Sequence, residues 1–256
     1  MKTKPAAEGI TEPAIVGETS SFVVVYKPPR IHSAPLGEMS AESRSSAAGG
    51  VPDTLLDFVA KTYPEVRSVR GWKPVEGGLV HRLDYDTRGL LLVARTQAAM
   101  DALRGQQEQN LIVKEYTALS AGKGESLPGF PPCMFSVRPD KSAVIESAFR
   151  PYGKGRKAVR PVLRPGLPLY QTEIVSYTET DFAGVPGRVF RLRISRGYRH
   201  QIRSHLAWTG WPIVNDVLYG GVIDNAVSES CLALCAEAVS FTDPVTGRRV
   251  GFKWGE

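Results

Sequence analysis

The residues best placed to do chemistry lie in one string, Val80-His81-Arg82-Leu83-Asp84-Tyr85-Asp86-Thr87-Arg88-Gly89-Leu90-Leu91-Leu92-Val93-Ala94. Its second half is a short apolar run of the kind that forms a buried strand. Its first half is a polar turn crowded with Arg82, Asp84, Asp86, Thr87 and Arg88. Gly89 marks the joint, where the backbone takes a conformation closed to other residues. Polar groups on a loop held by a rigid strand are a common setting for catalysis. Taken as charges alone, the cluster reads as surface salt bridges. Taken as chemistry, Asp84 reads as a reacting carboxylate, able to act as a nucleophile. Asp84 and Asp86 together would suit a glycoside hydrolase, whose retaining forms need carboxyls about 5–5.5 Å apart across a sugar. The basic composition of the chain fits that use poorly.

A second string, Gly197-Tyr198-Arg199-His200-Gln201-Ile202-Arg203-Ser204-His205-Leu206-Ala207, holds the other candidates. Gly197 marks a turn. The residues after it read as a short helix with Ile202 and Leu206 one turn apart on its buried side. Gly210 and Pro212 are placed to end it. On this reading Arg199 and His200 occupy the first helical turn, where cations oppose the helix dipole. A bound anion, either a carboxylate or an RNA phosphate, would resolve that conflict. His200 and His205 are five apart, do not share a helical face, and make a poor zinc pair.

The elements that must position these strings read as follows. Residues 1–20 are polar with scattered Pro and Gly, and read as a tail or lead-in. Phe22 to Tyr26 is β-branched and aromatic, a strand ended by Lys27-Pro28-Pro29. The small polar residues 41–50 read as a loop. Asp53 or Thr54 caps a helix carrying Leu55, Leu56, Val59 and Tyr63, and Thr96 caps another carrying Met100 and Leu103. Leu111 to Ala118 reads as a strand with Ile112, Lys114, Tyr116 and Ala118 on one face. On pattern alone Tyr116 is an ordinary half-buried sheet tyrosine. Residues 120–170 are the least readable. The run from Phe149 to Arg160 is densely basic, and suits a phosphate backbone or a mobile loop equally. Tyr170 to Tyr177 and Arg188 to Ser195 read as strands joined by a Gly-Val-Pro-Gly turn, the second with Phe190, Leu192 and Ile194 on one face and Arg191 and Arg193 on a cationic one.

The 256 residues suffice for a substantial core. The net charge of +6 suits a polyanionic partner. Three cysteines have no pairing that suggests a disulfide framework. Cys231 and Cys235 lack the further ligands that structural zinc takes, and read as buried thiols. The N-terminus has no apolar signal-peptide core, and no run is long enough to span a membrane. These features place the protein in the cytoplasm.

His-Arg-Leu-Asp-x-x-Thr-x-Gly-Leu-Leu-Leu at 81–92 resembles the central motif of the RluA-like pseudouridine synthases. The match extends to the early strand followed by Lys27-Pro28, to Lys-x-Tyr-x-Ala at 114–118 and to Gly-x-x-His-Gln-Ile-Arg-x-His-Leu at 197–206. Pro212 to Gly220 is similar to that family's Pro-Ile-x-Gly-Asp-x-x-Tyr-Gly, and residues 232–247 to its closing strand pair. The resemblance covers roughly residues 20–256, with the motifs in order. Departures occur at Arg88, where serine is usual, at Tyr198, where a basic residue is frequent, and at Asn215, where glycine is usual. Cys235 and Asp243 stand where histidines are common.

The resemblance implies an α+β fold, a mixed and mainly antiparallel central sheet with flanking helices and loops, filling residues 21–256. It leaves no room before that for the small S4-like module of many relatives. It implies Asp84 as nucleophile, Tyr116 as the ring that stacks on the target base and takes part in proton transfer, and Arg203 as the partner of Asp84. Arg82, Lys114, Arg199, His200 and Gln201 become RNA-binding residues. The partner is RNA, ribosomal or transfer, with no obligate protein partner. Pseudouridine formation breaks the bond between ribose and the uracil nitrogen, turns the base, and joins a ring carbon to the same sugar. No redox change or hydrolysis occurs, so no cofactor or metal is needed. The target uridine must leave its stack to react. The alternative is a catalytically inactive RNA-binding protein on the same scaffold.

Overall fold

The computed structural model describes residues 11–35, 54–122, 124, 127–133, 142–182, 184–224 and 231–255. The expected loop at 41–50 and the capping candidate Asp53 lie outside them. The chain packs as two compact units, Met1–Gln109 with Ala238–Glu256, and Asn110–Glu237.

In the first unit, β1 (Ala14–Glu18), β2 (Phe22–Lys27) and β3 (Arg88–Ala94) pair antiparallel in that order. Every residue of β2 is buried, as are Gly89 to Ala94 of β3. Strands apolar on both faces have to be covered on both. Phe22 meets the ring of Phe241 edge-on at 4.9 Å, and Tyr26 stacks on Trp254 at 3.8 Å. Helix α1 (Leu55–Thr62) buries Leu55, Leu56 and Val59, and α2 (Gln97–Glu108) buries Ala99, Met100 and Leu103. Both carry the expected caps. The hydroxyl of Thr54 accepts from the Asp57 N–H at 3.2 Å, and that of Thr96 from the Ala99 N–H at 3.1 Å.

Residues 14–18 are a strand rather than part of a loose lead-in. Ala14-Ile15-Val16 offers β-forming side chains to the edge of β2 left open by β3, and pairs from Ala14↔Tyr26 to Glu18↔Val23. The Phe252 ring lies 2.2 Å from where a Cβ of Gly17 would stand, so only glycine lets the strand approach.

In the second unit, β4 (Val113–Ala121), β5 (Ala143–Tyr152), β6 (Ala158–Val162), β7 (Tyr170–Phe182) and β8 (Val185–Ile194) form the order β4-β8-β7-β5-β6 with antiparallel neighbours. Helix α3 is Gln201–Trp208. Strand β9 (Leu234–Thr242) begins here and ends in the first unit, where β10 (Arg249–Lys253) pairs with it antiparallel. The mainly antiparallel α+β architecture is the one expected.

Three local expectations change. Pairing of β7 with β8 continues to Phe182↔Val185, so Val185, Pro186 and Gly187 belong to the strand and not to the turn. The outer face of β8 is only partly cationic, because Arg193 is held by Glu115 and Glu173, each at 3.2 Å. Helix α3 starts at Gln201. His200 is its N-cap in the left-handed region (φ 53°), and Arg199 precedes the helix, so neither cation occupies the first turn. The poorly readable stretch contains the β5–β6 hairpin, whose proline and arginine content hides its alternation.

Candidate active site

In the first unit the candidate residues lie on the loop His81 to Thr87, which leads into β3. Asp84 is half-buried on it, between buried Leu83 and exposed Tyr85 and Asp86. The loop is pinned at several points. The Thr87 N–H donates to the Asp84 carbonyl at 3.1 Å, closing a tight turn. The Ser33 hydroxyl donates to the Leu83 carbonyl at 3.0 Å and accepts from the Leu83 N–H at 3.1 Å. The Arg30 N–H donates to the Tyr85 carbonyl at 2.8 Å. Leu92 donates its N–H to Nε2 of His81 at 3.3 Å. Gly89, at φ 126° opposite Lys27, makes the joint to the strand.

Lys27 contributes most to this arrangement. Its side chain is fully buried at the end of β2. Its ammonium donates to the carbonyls of Pro28 (2.9 Å), Ile31 (2.9 Å) and Tyr85 (3.0 Å). Burial pulls its pKa down to about 7, and the charges of Asp84 and Asp86 oppose that fall. Lys27 therefore ties the backbone beside Asp84 and interacts electrostatically with both carboxylates. Arg82, on the same loop, is exposed and pairs with the buried Glu76 at 3.0 Å.

The remaining candidate residues belong to the second unit. On β4, Tyr116 and Lys114 are both buried, with Ile112 and Ala118 on the same face. The Lys114 ammonium donates to the Ser195 carbonyl at 3.3 Å, and burial lowers its pKa to about 8.

Arg203 is buried on α3. Its Nε and Nη2 grip Oδ2 and Oδ1 of Asp216, each at 2.8 Å, and the guanidinium lies 5.4 Å from the centre of the Tyr219 ring. Asp216 is itself clamped. Its carbonyl accepts from the N–H groups of Tyr219 and Gly221, and a Cβ on Gly221 would fall 1.9 Å from the Ile213 carbonyl oxygen. The Tyr219 hydroxyl accepts from the Val159 N–H at 2.8 Å, donates to the Val159 carbonyl at 3.1 Å, and meets Nδ1 of His200 at 3.3 Å.

All eight residues of α3 are buried, the polar ones included. Each polar side chain has a partner, as burial demands. Gln201 donates to the Gln171 carbonyl and to Thr172, and accepts from the Tyr198 N–H. Ser204 donates to the Val159 carbonyl. His205 bonds Ser147 through Nε2 and Thr172 through Nδ1, each at 2.9 Å, and burial lowers its pKa to about 3. Arg199 is exposed and donates from Nη2 to the carbonyls of Arg156 (2.9 Å) and Ala158 (3.2 Å).

The structure thus places Asp84 and Arg82 in the first unit, and Tyr116, Lys114, Arg199, His200, Gln201 and Arg203 in the second. Sequence reasoning missed Lys27, Ser33 and Asp216 as supports. Lys27 and Asp216 both stand inside matched motifs, which was the available signal. Ser33 carried none.

The profile of the RNA pseudouridylate synthase family matches residues 21–208. The chain belongs to this family. It is 28% identical over 238 residues to the uncharacterized RNA pseudouridine synthase YjbO of Bacillus subtilis, covering 93% of this chain and 70% of that protein. It is 29% identical over 216 residues to ribosomal large subunit pseudouridine synthase D of Vibrio parahaemolyticus, covering 79% of this chain and 58% of that protein. It spans about half the length of several of the curated relatives it matches. The fold is shared with a solved structure, human RNA Pseudouridylate Synthase Domain Containing 1, with a TM-score of 0.64, 22% identity, and coverage of 99% of this chain and 86% of that one.

Proposed function

We propose that this protein is an RNA pseudouridine synthase with Asp84 as its nucleophile. The observation that carries the reading is the loop itself. A half-buried carboxylate is held on a backbone fixed by Ser33, Arg30 and the buried ammonium of Lys27. Fixing the attacking group before reaction removes much of the entropic part of a barrier. Asp84 attacks the uridine, at sugar or ring, while the bond between ribose and nitrogen breaks. The base turns, its carbon bonds the same sugar carbon, and the carboxylate is released. In that last step the ring carbon gives up its proton, and the ring nitrogen freed from the sugar takes one up. As an isomerisation the reaction calls for no cofactor or metal.

Arg203 and Tyr116 act on the same uridine in this reading. A guanidinium has two hydrogen-bonding edges. Asp216 fixes the orientation of Arg203 through Nε and Nη2, and we assign this held cation as the electrostatic partner of the reacting carboxylate. Tyr116 stacks on the freed uracil, an interaction of about 1–3 kcal/mol per base. Arg82, Arg199 and His200 are the candidate RNA contacts. Lys114 and Gln201, being buried, support them from within. The names of the relatives make ribosomal RNA the first substrate to test, with transfer RNA second. No helix among the described residues is long and apolar enough to cross a membrane. We place the activity in the cytoplasm, with RNA as the partner.

The test is tritium release from RNA labelled at uracil carbon 5, together with a pseudouridine map of cellular RNA with and without the protein. The expected outcome is a uridine modified by the intact protein and left unmodified by Asp84→Ala. Release that persists in Asp84→Ala would remove Asp84 as nucleophile. Tight RNA binding with no release on any RNA would leave the inactive, binding-only reading.

A further inference from the structure

The second unit carries a group of aromatic rings and cations that the proposed reaction does not use. Phe149, on β5, is buried. Tyr198 stacks on it at 5.1 Å with the planes 10° apart. Tyr170, at the start of β7, lies 4.9 Å from Tyr198 at a tilt of 56°, and the Arg196 guanidinium lies over the Tyr170 ring at 4.9 Å. Tyr170 and Tyr198 are half-buried, and Arg196 is exposed. Phe149 covers one side of the Tyr198 ring. The cluster is thus a partly exposed aromatic surface backed by a buried ring and edged by a cation.

The neighbouring hairpin is basic throughout. From Ser147 to Thr172 the chain has six Lys or Arg and no Asp or Glu. Arg150 and Arg160 are direct partners in the β5–β6 register. Like charges directly opposite each other in an antiparallel pair destabilise it. Among the described residues no ion pair involves either of them, nor Lys154, Arg156, Lys157 or Arg164. Instead the tip of the hairpin is fastened from elsewhere. Arg199 holds the carbonyls of Arg156 and Ala158, and Arg160 donates to the Gly129 carbonyl. An unneutralised cationic ridge held in one conformation is arranged for an external anion. Tyr198 connects it to α3, since its N–H donates to Oε1 of Gln201, two residues before Arg203.

We propose that the ring cluster and the β5–β6 hairpin form a subsite for an unpaired nucleotide of the substrate RNA, next to the segment that carries the target uridine. The base stacks on Tyr198 and Tyr170, and its flanking phosphates lie along Arg150, Lys154, Arg156 and Lys157. The proposal rests on the pseudouridine synthase reading only in making the bound RNA a substrate. Tyr198 departs from the basic residue expected at its position. A ring there turns a purely electrostatic contact into one that distinguishes single strands from duplex, because a paired base does not offer its face.

The test uses the full-length protein and a fluorescein-labelled, mixed-sequence single-stranded RNA, with the same-length RNA duplex as control, read by anisotropy. Tyr198→Leu is expected to weaken single-strand binding about 5- to 150-fold, the range for one stacked base, and to leave duplex binding nearly unchanged. Tyr198→Phe keeps the ring and is expected to bind as the parent does. Lys154→Ser with Lys157→Ser is expected to lower the slope of log affinity against log salt by about 0.7 for each phosphate that is no longer neutralised. A melting curve checks that each variant is folded. Should Tyr198→Leu unfold, Tyr170→Leu replaces it, and the lysine pair remains as a separate measure.

Equal binding by Tyr198→Leu and Tyr198→Phe would overturn the stacking subsite. Competition by polyglutamate as strong as by RNA would also overturn it, leaving a general acidic-ligand surface. Tritium release separates this from the parent reading. Loss of single-strand binding in the variants, with no release by the parent protein on any RNA, keeps the subsite and removes the synthase. Normal release with unchanged binding in every variant does the reverse.

Discussion

The two units bury polar groups in opposite ways. In the first, the sheet strands bury mainly hydrocarbon, and the buried charges, the Lys27 ammonium on three backbone carbonyls and the Glu76 carboxylate paired with Arg82, lie at a strand end and in a connecting turn. In the second, a whole polar helix is buried, and Gln201, Arg203, Ser204 and His205 are each satisfied by another strand or loop. The first arrangement fixes a loop and leaves its carboxylate half-buried. The second fixes a side chain, Arg203, by surrounding it. A reacting carboxylate has to be reached by substrate, whereas a cation that orients it has to stay still. The difference matches the roles proposed for Asp84 and Arg203.

The largest effect expected follows from that contrast. Asp216→Ala leaves the Arg203 guanidinium buried without its bidentate partner. Removing one member of a buried pair typically costs about 3–5 kcal/mol. Urea unfolding should show a loss of that order, whereas Asp84→Ala, at a half-buried loop position, should lower stability by less than about 1 kcal/mol. Equal losses in the two variants would mean that the units do not differ as described.

Lys27→Met comes next. It keeps the volume and removes the donor to three carbonyls. An unsatisfied buried group costs about 1–3 kcal/mol, offset here by relief from burying a charge. A net loss of about 1–3 kcal/mol is expected. If the lysine positions the Asp84 loop, kcat for tritium release should fall more than KM rises. A rise in KM alone would make Lys27 a binding residue.

The same contrast explains what could be read in advance. Phe22 to Tyr26 and Leu90 to Ala94 are short β-branched or leucine-rich runs, and their burial on both faces follows from composition. The caps Thr54 and Thr96 were legible because a capping hydroxyl acts within three residues. Helix α3 was misread at its start and in its exposure. Its polar residues break the amphipathic rule, and their partners, Thr172, Ser147, Val159 and Asp216, lie 13 to 58 positions away. The left-handed turn at His200 has only a weak local signature, since residues other than glycine seldom adopt it, although histidine is among those enriched there. Asp84, Tyr116 and Arg203 could be named from motifs. Ser33 could not, because its bonds to Leu83 cross 50 positions of unrelated sequence.

The network around His205 gives a pH-dependent form of the comparison. Its pKa falls from an ordinary 6.5 to about 3 in the folded chain. Between those values the unfolded chain takes up a proton that the folded one refuses. The stability present above pH 6.5 is therefore lost progressively as pH falls toward 3, at up to about 1.4 kcal/mol per pH unit. The melting temperature of the parent should drop more between pH 7.5 and pH 5 than that of His205→Asn, which does not titrate. Parallel profiles would mean that the imidazole is not held neutral by burial.

The smallest effect tests whether burial, rather than residue type, makes the second unit's ion pairs strong. Arg193 bonds two carboxylates, Glu115 and Glu173, and Arg203 grips Asp216 through two of its nitrogens. As salt bridges drawn by distance alone, the two sets look alike. Its side chain is 40% exposed and those of its partners 45% and 43%, against 7% for Arg203 and 0% for Asp216. Water screens the first set, and exposed pairs contribute about 0–1 kcal/mol. Arg193→Gln should therefore lower stability by less than about 1 kcal/mol, and raised salt should shrink the difference further. Asp216→Ala should keep its larger loss in the same salt. A loss at Arg193 as large and as salt-resistant as that at Asp216 would mean that burial does not set the strength of these pairs. The buried helix would then no longer set the second unit apart.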